Sequence, residues 1–310
     1  MAVRAAAAFD RLGFGAAMVT VVFWASAFVS IRGLATELGP GSIAFGRLAV
    51  ASVILSAFMV RAGWQPMTRR DVALVIASGL AWQTIYFVVL NEAERTVDAG
   101  TAAMLVNTGP IFIALLAGLF LGEGLPGRLV AGSLIAFAGS VVIGFATWAD
   151  PVAATADPTL GIVLCIVAAL AYAAGVTLQK PALRRVPALQ LTWLAVLTAT
   201  IATSPFGPGL VAELGRTSLE SAAWLVYLGI FPTALAFTTW SFALKRTTAG
   251  RLGALTYLVP PIVVVMGWAV LGEVPPALAI AGGALCIGGV IAVRSGGGLR
   301  LRPLRTAAEG

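Results

Sequence analysis

The sequence predicts an all-α integral membrane protein of ten transmembrane helices in two inverted five-helix repeats. Three observations carry that prediction: the composition, ten apolar runs of spanning length, and a self-match at a fixed offset. Of the 310 residues, 59% are hydrophobic and only 11% charged, with a mean hydropathy of +0.97. Soluble domains run nearer a quarter charged. At about 20 residues per spanning helix, ten helices use about 200 residues and leave only short loops. No stretch is polar enough for a separate soluble domain.

The runs fall at 13–35, 41–60, 72–92, 99–121, 128–147, 160–180, 187–206, 221–243, 249–271 and 277–293. Turn chemistry separates them at Gly39-Pro40-Gly41, Asp150-Pro151, Asp157-Pro158, Ser204-Pro205-Phe206-Gly207-Pro208 and Pro275-Pro276. The seventh run is the weakest, being interrupted by Thr192, Thr198, Thr200 and Thr203. Arg4, an apolar run and Ala25-Ser26-Ala27 imitate a signal peptide. Asp10 and Arg11 directly precede the run, however, and it continues past that site, which argues against cleavage. With the N-terminus placed in the cytoplasm, sixteen Lys and Arg fall on the cytoplasmic side and three (Arg32, Arg95 and Arg216) on the other. That bias obeys the positive-inside rule, puts both termini in the cytoplasm and requires an even helix count. A bacterial inner membrane is the expected location. The sequence pI of 10.2 therefore reports topology, and no nucleic-acid partner is expected.

Shifted by 150 residues, the chain matches itself without gaps over 99–139. Ala99, Gly100, Leu105, Pro110, Leu121, Gly122, Glu123, Pro126, Ala131, Gly132 and Gly139 fall on Ala249, Gly250, Leu255, Pro260, Leu271, Gly272, Glu273, Pro276, Ala281, Gly282 and Gly289. Upstream, Gly79/Gly229, Phe87/Phe237 and Ala93/Ala243 continue the match, and at an offset of 148 Trp24 falls on Tyr172 and Arg32 on Lys180. The units are 13–147 and 160–293, followed by a basic tail, 294–310. Five helices per unit is an odd number, so the halves lie upside down relative to each other. Inverted repeats mark secondary transporters, whose solute site lies near the midplane between the halves.

The paired Pro110…Leu121-Gly122-Glu123 and Pro260…Leu271-Gly272-Glu273, each leading into a glycine-rich helix, resemble the drug/metabolite transporter superfamily, in its ten-helix EamA-like branch. Trp24-Ala25-Ser26-Ala27-Phe28 and Arg47-Leu48-Ala49 fit the same pattern. The resemblance covers nearly the whole chain and implies export of small metabolites, amino acids or drugs through a central cavity. Ala25 and Tyr172 depart from the residues common in that branch, which bears on the cavity rather than the fold.

Candidate site residues follow from cost. Pro110 and Pro260 interrupt helices four and nine at mid-depth, and Pro261 adds to the second break, so Val106, Thr256 and Tyr257 lose helical partners. Interrupted backbone at matching depth in both repeats marks a hinge or a solute site. Asn107 and its equivalent Tyr257 precede those prolines. With Trp24, Trp82, Gln83, Tyr86 and Tyr172 they are expected to line an aromatic, mostly uncharged cavity, against the alternative of plain core packing. Trp64, Trp148 and Trp193 read as interfacial anchors. Arg47 lies within a span and needs a partner or water. Glu92 and Asp98 are the available carboxylates, and the alternatives are a structural clamp, a moving gate or an Arg47 contact to a solute carboxylate. Glu123 and Glu273 end their helices against the macrodipole, so each is expected to have a partner or to cap the following helix. Glycines of helices five and ten read as close packing, within the chain or in a homodimer.

The absence of His excludes histidine triads, relays and ligands. Cys165 and Cys286 sit in apolar runs, where a disulfide is not expected. No cofactor or metal is implied. The expected function is export of small neutral or zwitterionic solutes across the lipid bilayer. A phosphate-linked antiporter needs more basic residues at depth, and a membrane enzyme needs converging acids or metal ligands. All thirteen Asp and Glu fall in loops or near helix ends, so uncoupled or exchange transport is expected.

Overall fold

The computed structural model describes residues 11–34, 37–93, 95, 102, 105–148, 158–271 and 277–294. The described residues are helical apart from short turns, with no strand among them. The helices are α1 (Arg11–Leu34), α2 (Pro40–Ala62), α3 (Arg69–Ala93), α4 (Gly109–Phe120), α5 (Gly127–Trp148), α6 (Pro158–Ala182), α7 (Ala188–Leu214), α8 (Leu219–Arg246), α9 (249–271) and α10 (Ala277–Arg294). Seven of them are long and apolar enough to cross a membrane, and shorter apolar stretches occupy α4, α5 and α10.

Helix ends follow their caps. Pro40 sits at the first turn of α2, where its missing N–H costs nothing. Thr68 opens α3 with a reciprocal capping box to Asp71, and its repeat equivalent Ser218 opens α8 by accepting the Ser221 N–H. One expectation is corrected. Ser204-Pro205-Phe206-Gly207-Pro208 does not end the seventh helix: a 3-10 turn at Ser204–Phe206 carries it on to Leu214. Each proline there occupies the first turn of a new segment, where proline is tolerated.

The repeat is visible as backbone geometry. Gly79–Tyr86 of α3 and Gly229–Leu235 of α8 are both π-helical. Thr84 and Thr233 each donate a hydroxyl hydrogen bond to the carbonyl five residues earlier, on Gly79 and Leu228. Pro232 lies inside the second segment and Trp82 holds its place in the first, so proline is not what widens the helix. The opening glycine is needed in each: a Cβ on Gly79 would lie 2.5 Å from the Ala195 carbonyl of α7, and one on Gly229 2.5 Å from Val50 of α2.

The two repeats interdigitate. α1 packs on α8 and α9, α6 on α3 and α4, α2 on α7, α5 on α10, and α4 on the first segment of α9. The core is built from their inward faces. Val53, Val60, Leu119, Phe120 and Val211 stay exposed, a costly arrangement in water that suits side chains facing lipid. One end of the bundle gathers Arg61, Arg69, Arg70, Arg184, Arg185, Lys245, Arg246 and Arg251 around the α2–α3, α6–α7 and α8–α9 turns; it is called the basic end below.

Candidate functional site

Helices four and nine are interrupted where the prolines predict. Asn107 and Thr108 form a turn before Pro110, and Thr256–Leu258 form a 3-10 turn before Pro260. The Thr108 and Thr256 hydroxyls donate to the carbonyls three residues earlier, on Leu105 and Gly253, each at 2.7 Å. The backbone N–H of each threonine bonds the same carbonyl, so both breaks are tightened into three-residue turns.

Beside these breaks lies a cleft of about 760 Å³, counting the space open to the outside. Its floor is aromatic and lies at mid-length of α1, α3, α6 and α8. The Trp24 ring meets Trp82 edge-on at 5.6 Å and Trp240 at 4.9 Å; Trp82 in turn lies 5.0 Å from Tyr172 and 4.8 Å from Phe237. Contacts of this kind add about 0.5–1.5 kcal/mol each beyond burial. The floor is therefore stiff as well as apolar. From it the walls rise through Ala27, Ile31, Leu90 and Val106, away from the basic end.

Arg47 is the charged residue among those lining the cleft, and it is buried. Its Nε–H donates to the Thr233 hydroxyl at 3.0 Å, and its guanidinium lies over the Phe87 ring at 4.1 Å. The π-helical segment of α8 supplies that threonine, so the local widening positions the cation. Asn91 donates to the Pro40 carbonyl at 2.9 Å, tying α3 to the start of α2 at the same end. The lining thus offers one cation, the amides of Asn91 and Asn107, the hydroxyls of Tyr86 and Thr256, and no carboxylate among the described residues.

Of the residues singled out by sequence, Trp24, Arg47, Trp82, Tyr86, Asn107, Pro110 and Tyr172 come together at this cleft. Gln83 and Tyr257 are fully buried and lie behind the lining, while Pro261 packs near Gly283 of α10. Glu92 is turned to the surface, where it pairs with Arg95 at 3.4 Å. Asp98 and Glu273 lie outside the described residues. Glu123 does not cap the following helix. Its carboxylate accepts the Ala249 and Gly250 N–H groups at the start of α9, from the other repeat. Trp64 and Trp193 meet edge-on at the basic end, with the Trp193 indole donating to Ser56. Sequence reasoning missed Phe87, Phe237 and Trp240; the Phe87/Phe237 match across the repeat was the available signal.

At the basic end the bundle is sealed. Beside the Glu123 cap, the Lys180 ammonium donates to the Leu244 and Thr247 carbonyls at the end of α8. Arg185 bonds Asp71 through Nε and Nη2, at 3.1 and 2.7 Å. Gln190 exchanges two hydrogen bonds with the Gln65 backbone. No group of three His, Cys, Asp or Glu able to hold a metal occurs among the described residues.

Two interdigitated helical repeats around a cleft closed at one end fit a membrane transporter. The EamA-like transporter family model matches residues 11–145 and again 159–295, and the chain belongs to that family. It is 35% identical to a probable terminal-alkyne amino-acid exporter of Streptantibioticus cattleyicolor over 90% of this chain and 92% of that one. An uncharacterised transporter of Archaeoglobus fulgidus is 30% identical, covering 89% and 96%. A solved crystal structure, 19% identical, matches with a TM-score of 0.72 over 90% of this chain and 95% of that one, a likeness of fold.

Proposed function

We propose that this protein is a secondary transporter that exports small neutral or zwitterionic solutes, amino acids among them, by alternating access between its two repeats. In this reading the chain has ten spans, with both termini and the basic end in the cytoplasm, so the cleft faces outward. The observation that carries the reading is the cleft itself: residues of both repeats, an aromatic floor, a single buried cation, and a seal on one side only. An apolar side chain fits against Trp24, Trp82 and Tyr172, and a carboxylate is drawn to Arg47. The probable terminal-alkyne amino-acid exporter supports this substrate class by similarity.

Purified protein in liposomes, tested with radiolabelled neutral amino acids including one with a terminal alkyne, is expected to carry at least one of them. Flux of none would reject the reading. Arg47→Leu is expected to cut amino-acid flux at least tenfold and to leave flux of the matching decarboxylated amine unchanged. Equal losses for both would remove Arg47 from carboxylate recognition. Labelling of Asp157→Cys from outside intact cells tests the orientation, and labelling only after permeabilisation would invert it.

A further inference from the structure

The floor of the cleft is not the end of the polar groups. Beneath it, toward the basic end, four side chains are at least nine-tenths buried while their polar atoms lack a hydrogen-bond partner among the described residues. They are the Tyr257 hydroxyl, both amide atoms of Gln179, the Trp240 indole N–H and the Thr247 hydroxyl. Leaving such groups unsatisfied costs about 1–3 kcal/mol each. Their placement is regular. Tyr172 and Gln179 are seven residues apart on α6, two turns along one helical face, while Trp240 lies on α8 and Thr247 is the extended residue that follows its last turn. The two pairs face each other: the Tyr172 and Trp240 rings lie 6.2 Å apart, and Lys180 joins α6 to the Thr247 carbonyl at the far end. The Tyr172 hydroxyl lies beside Thr256, with Tyr86 and Tyr257 near it.

The repeat supplies an independent observation. At the offset of 148, Trp24 and Ile31 of α1 correspond to Tyr172 and Gln179; at 150, Leu90 of α3 corresponds to Trp240. Trp24, Ile31 and Leu90 line the open cleft. Exchange of the roles of the two repeats, the motion that inverted symmetry permits, would expose Gln179 and Trp240 in the same way.

From these two observations we infer that the α6–α8 seam between Trp240 and Thr247 is the closed half of the solute path, with Gln179 as its polar station. The inference rests on the transporter reading above. It adds a chemical asymmetry: where the open half offers Ile31 and Leu90, the closed half offers an amide and an indole N–H. An amide both donates and accepts, so this station takes the uncharged or zwitterionic head of a solute entering from the basic end. The Lys180 ammonium is committed to two backbone carbonyls and leaves the station neutral.

Gln179→Leu and Thr247→Val test the inference in liposomes, with the neutral amino acid that the wild type carries best as probe. Each variant is expected to keep or raise the melting temperature in detergent, because an unsatisfied polar group is replaced by an apolar one of similar size. Flux is expected to fall at least tenfold for Gln179→Leu and several-fold for Thr247→Val. Wild-type flux in Gln179→Leu would overturn the inference while leaving the transporter reading intact. Parallel loss of melting temperature and flux in both variants would also overturn it, marking the residues as structural. A wild type that carries no amino acid would overturn the transporter reading first, and the station with it.

Discussion

At the basic end, Arg185 reaches from the turn after α6 to Asp71 in the first turn of α3. At the opposite end, Glu37 reaches from the turn after α1 to Ser218 and Ser221 in the first turn of α8. By the repeat these are the same clamp: Thr68 corresponds to Ser218, Asp71 to Ser221 and Arg185 to Glu37. Both join one repeat to the other. The chemistry differs. Asp71 is buried and receives two guanidinium bonds and the Thr68 hydroxyl at 2.7 Å, whereas exposed Glu37 accepts the Ser218 N–H at 2.6 Å and the Ser218 and Ser221 hydroxyls at 2.8 and 2.9 Å. A full ion pair thus lies at the sealed end, with Lys180 and Glu123 beside it. The open end has a carboxylate on hydroxyls. A scaffold that repeats its backbone thus carries unequal contacts at its two ends, and in the transport cycle proposed above that inequality would favour closure of the basic end.

The largest effect expected from this comparison is for Asp71→Ala. The variant removes a capping box and strands Arg185. Because Arg185 is more than half exposed, solvent moderates the loss, and a destabilisation of about 1–3 kcal/mol is expected. Thermal melting in detergent measures it, and a probe at Gln65→Cys should become more reactive as the basic end loosens. An unchanged melting temperature and unchanged reactivity would show that the ion pair does not hold this end. Next comes transplantation: Glu37→Arg with Ser221→Asp puts the ion pair at the opposite end as well. Slower flux with a raised melting temperature is expected, and flux equal to wild type would break the link between clamp chemistry and resting state.

The smallest effect concerns pH. The backbone N–H of Ser218, then the hydroxyls of Ser218 and Ser221, hold the Glu37 carboxyl below its ordinary pKa. A group with a lowered folded pKa stabilises fully above its unfolded pKa, and that contribution fades as pH falls through the folded value. The acid side of the melting profile should therefore be shallower in Glu37→Gln, with little change at neutral pH. An identical acid limb would remove Glu37 from the linkage.

Much of this architecture is written in local chemistry. The apolar runs report helices because lipid demands internally satisfied backbone, and the match of Pro110 with Pro260 locates both breaks because proline acts on its own helix. Depth and direction are less legible. Gln83 and Trp82 are neighbours, yet only Trp82 reaches the cleft, since the π-helical turn that orients them has no composition signal of its own. The partner of Glu123 lies 126 residues away, across the repeat boundary. Its need for N–H donors was evident from the macrodipole, but the identity of the donors required the interdigitation of the halves. The continuation of α7 through Pro205 and Pro208 shows the same limit: proline punctuates a helix only where the preceding segment cannot restart.

The seam between α5 and α10 has a consequence for ancestry. A Cβ on Gly139 would lie 2.5 Å from the Gly282 carbonyl, and one on Gly289 2.5 Å from that of Gly132. Gly132 corresponds to Gly282 and Gly139 to Gly289, so each contact is the image of the other under exchange of the repeats. A gene half as long, whose product inserted in both orientations and paired with itself, would build both contacts from one pair of glycines. Fusion of two such copies into a single chain would leave that seam satisfied while positions away from it diverged. The two unequal clamps differ where side chains meet, whereas this seam keeps its symmetry where backbone meets backbone.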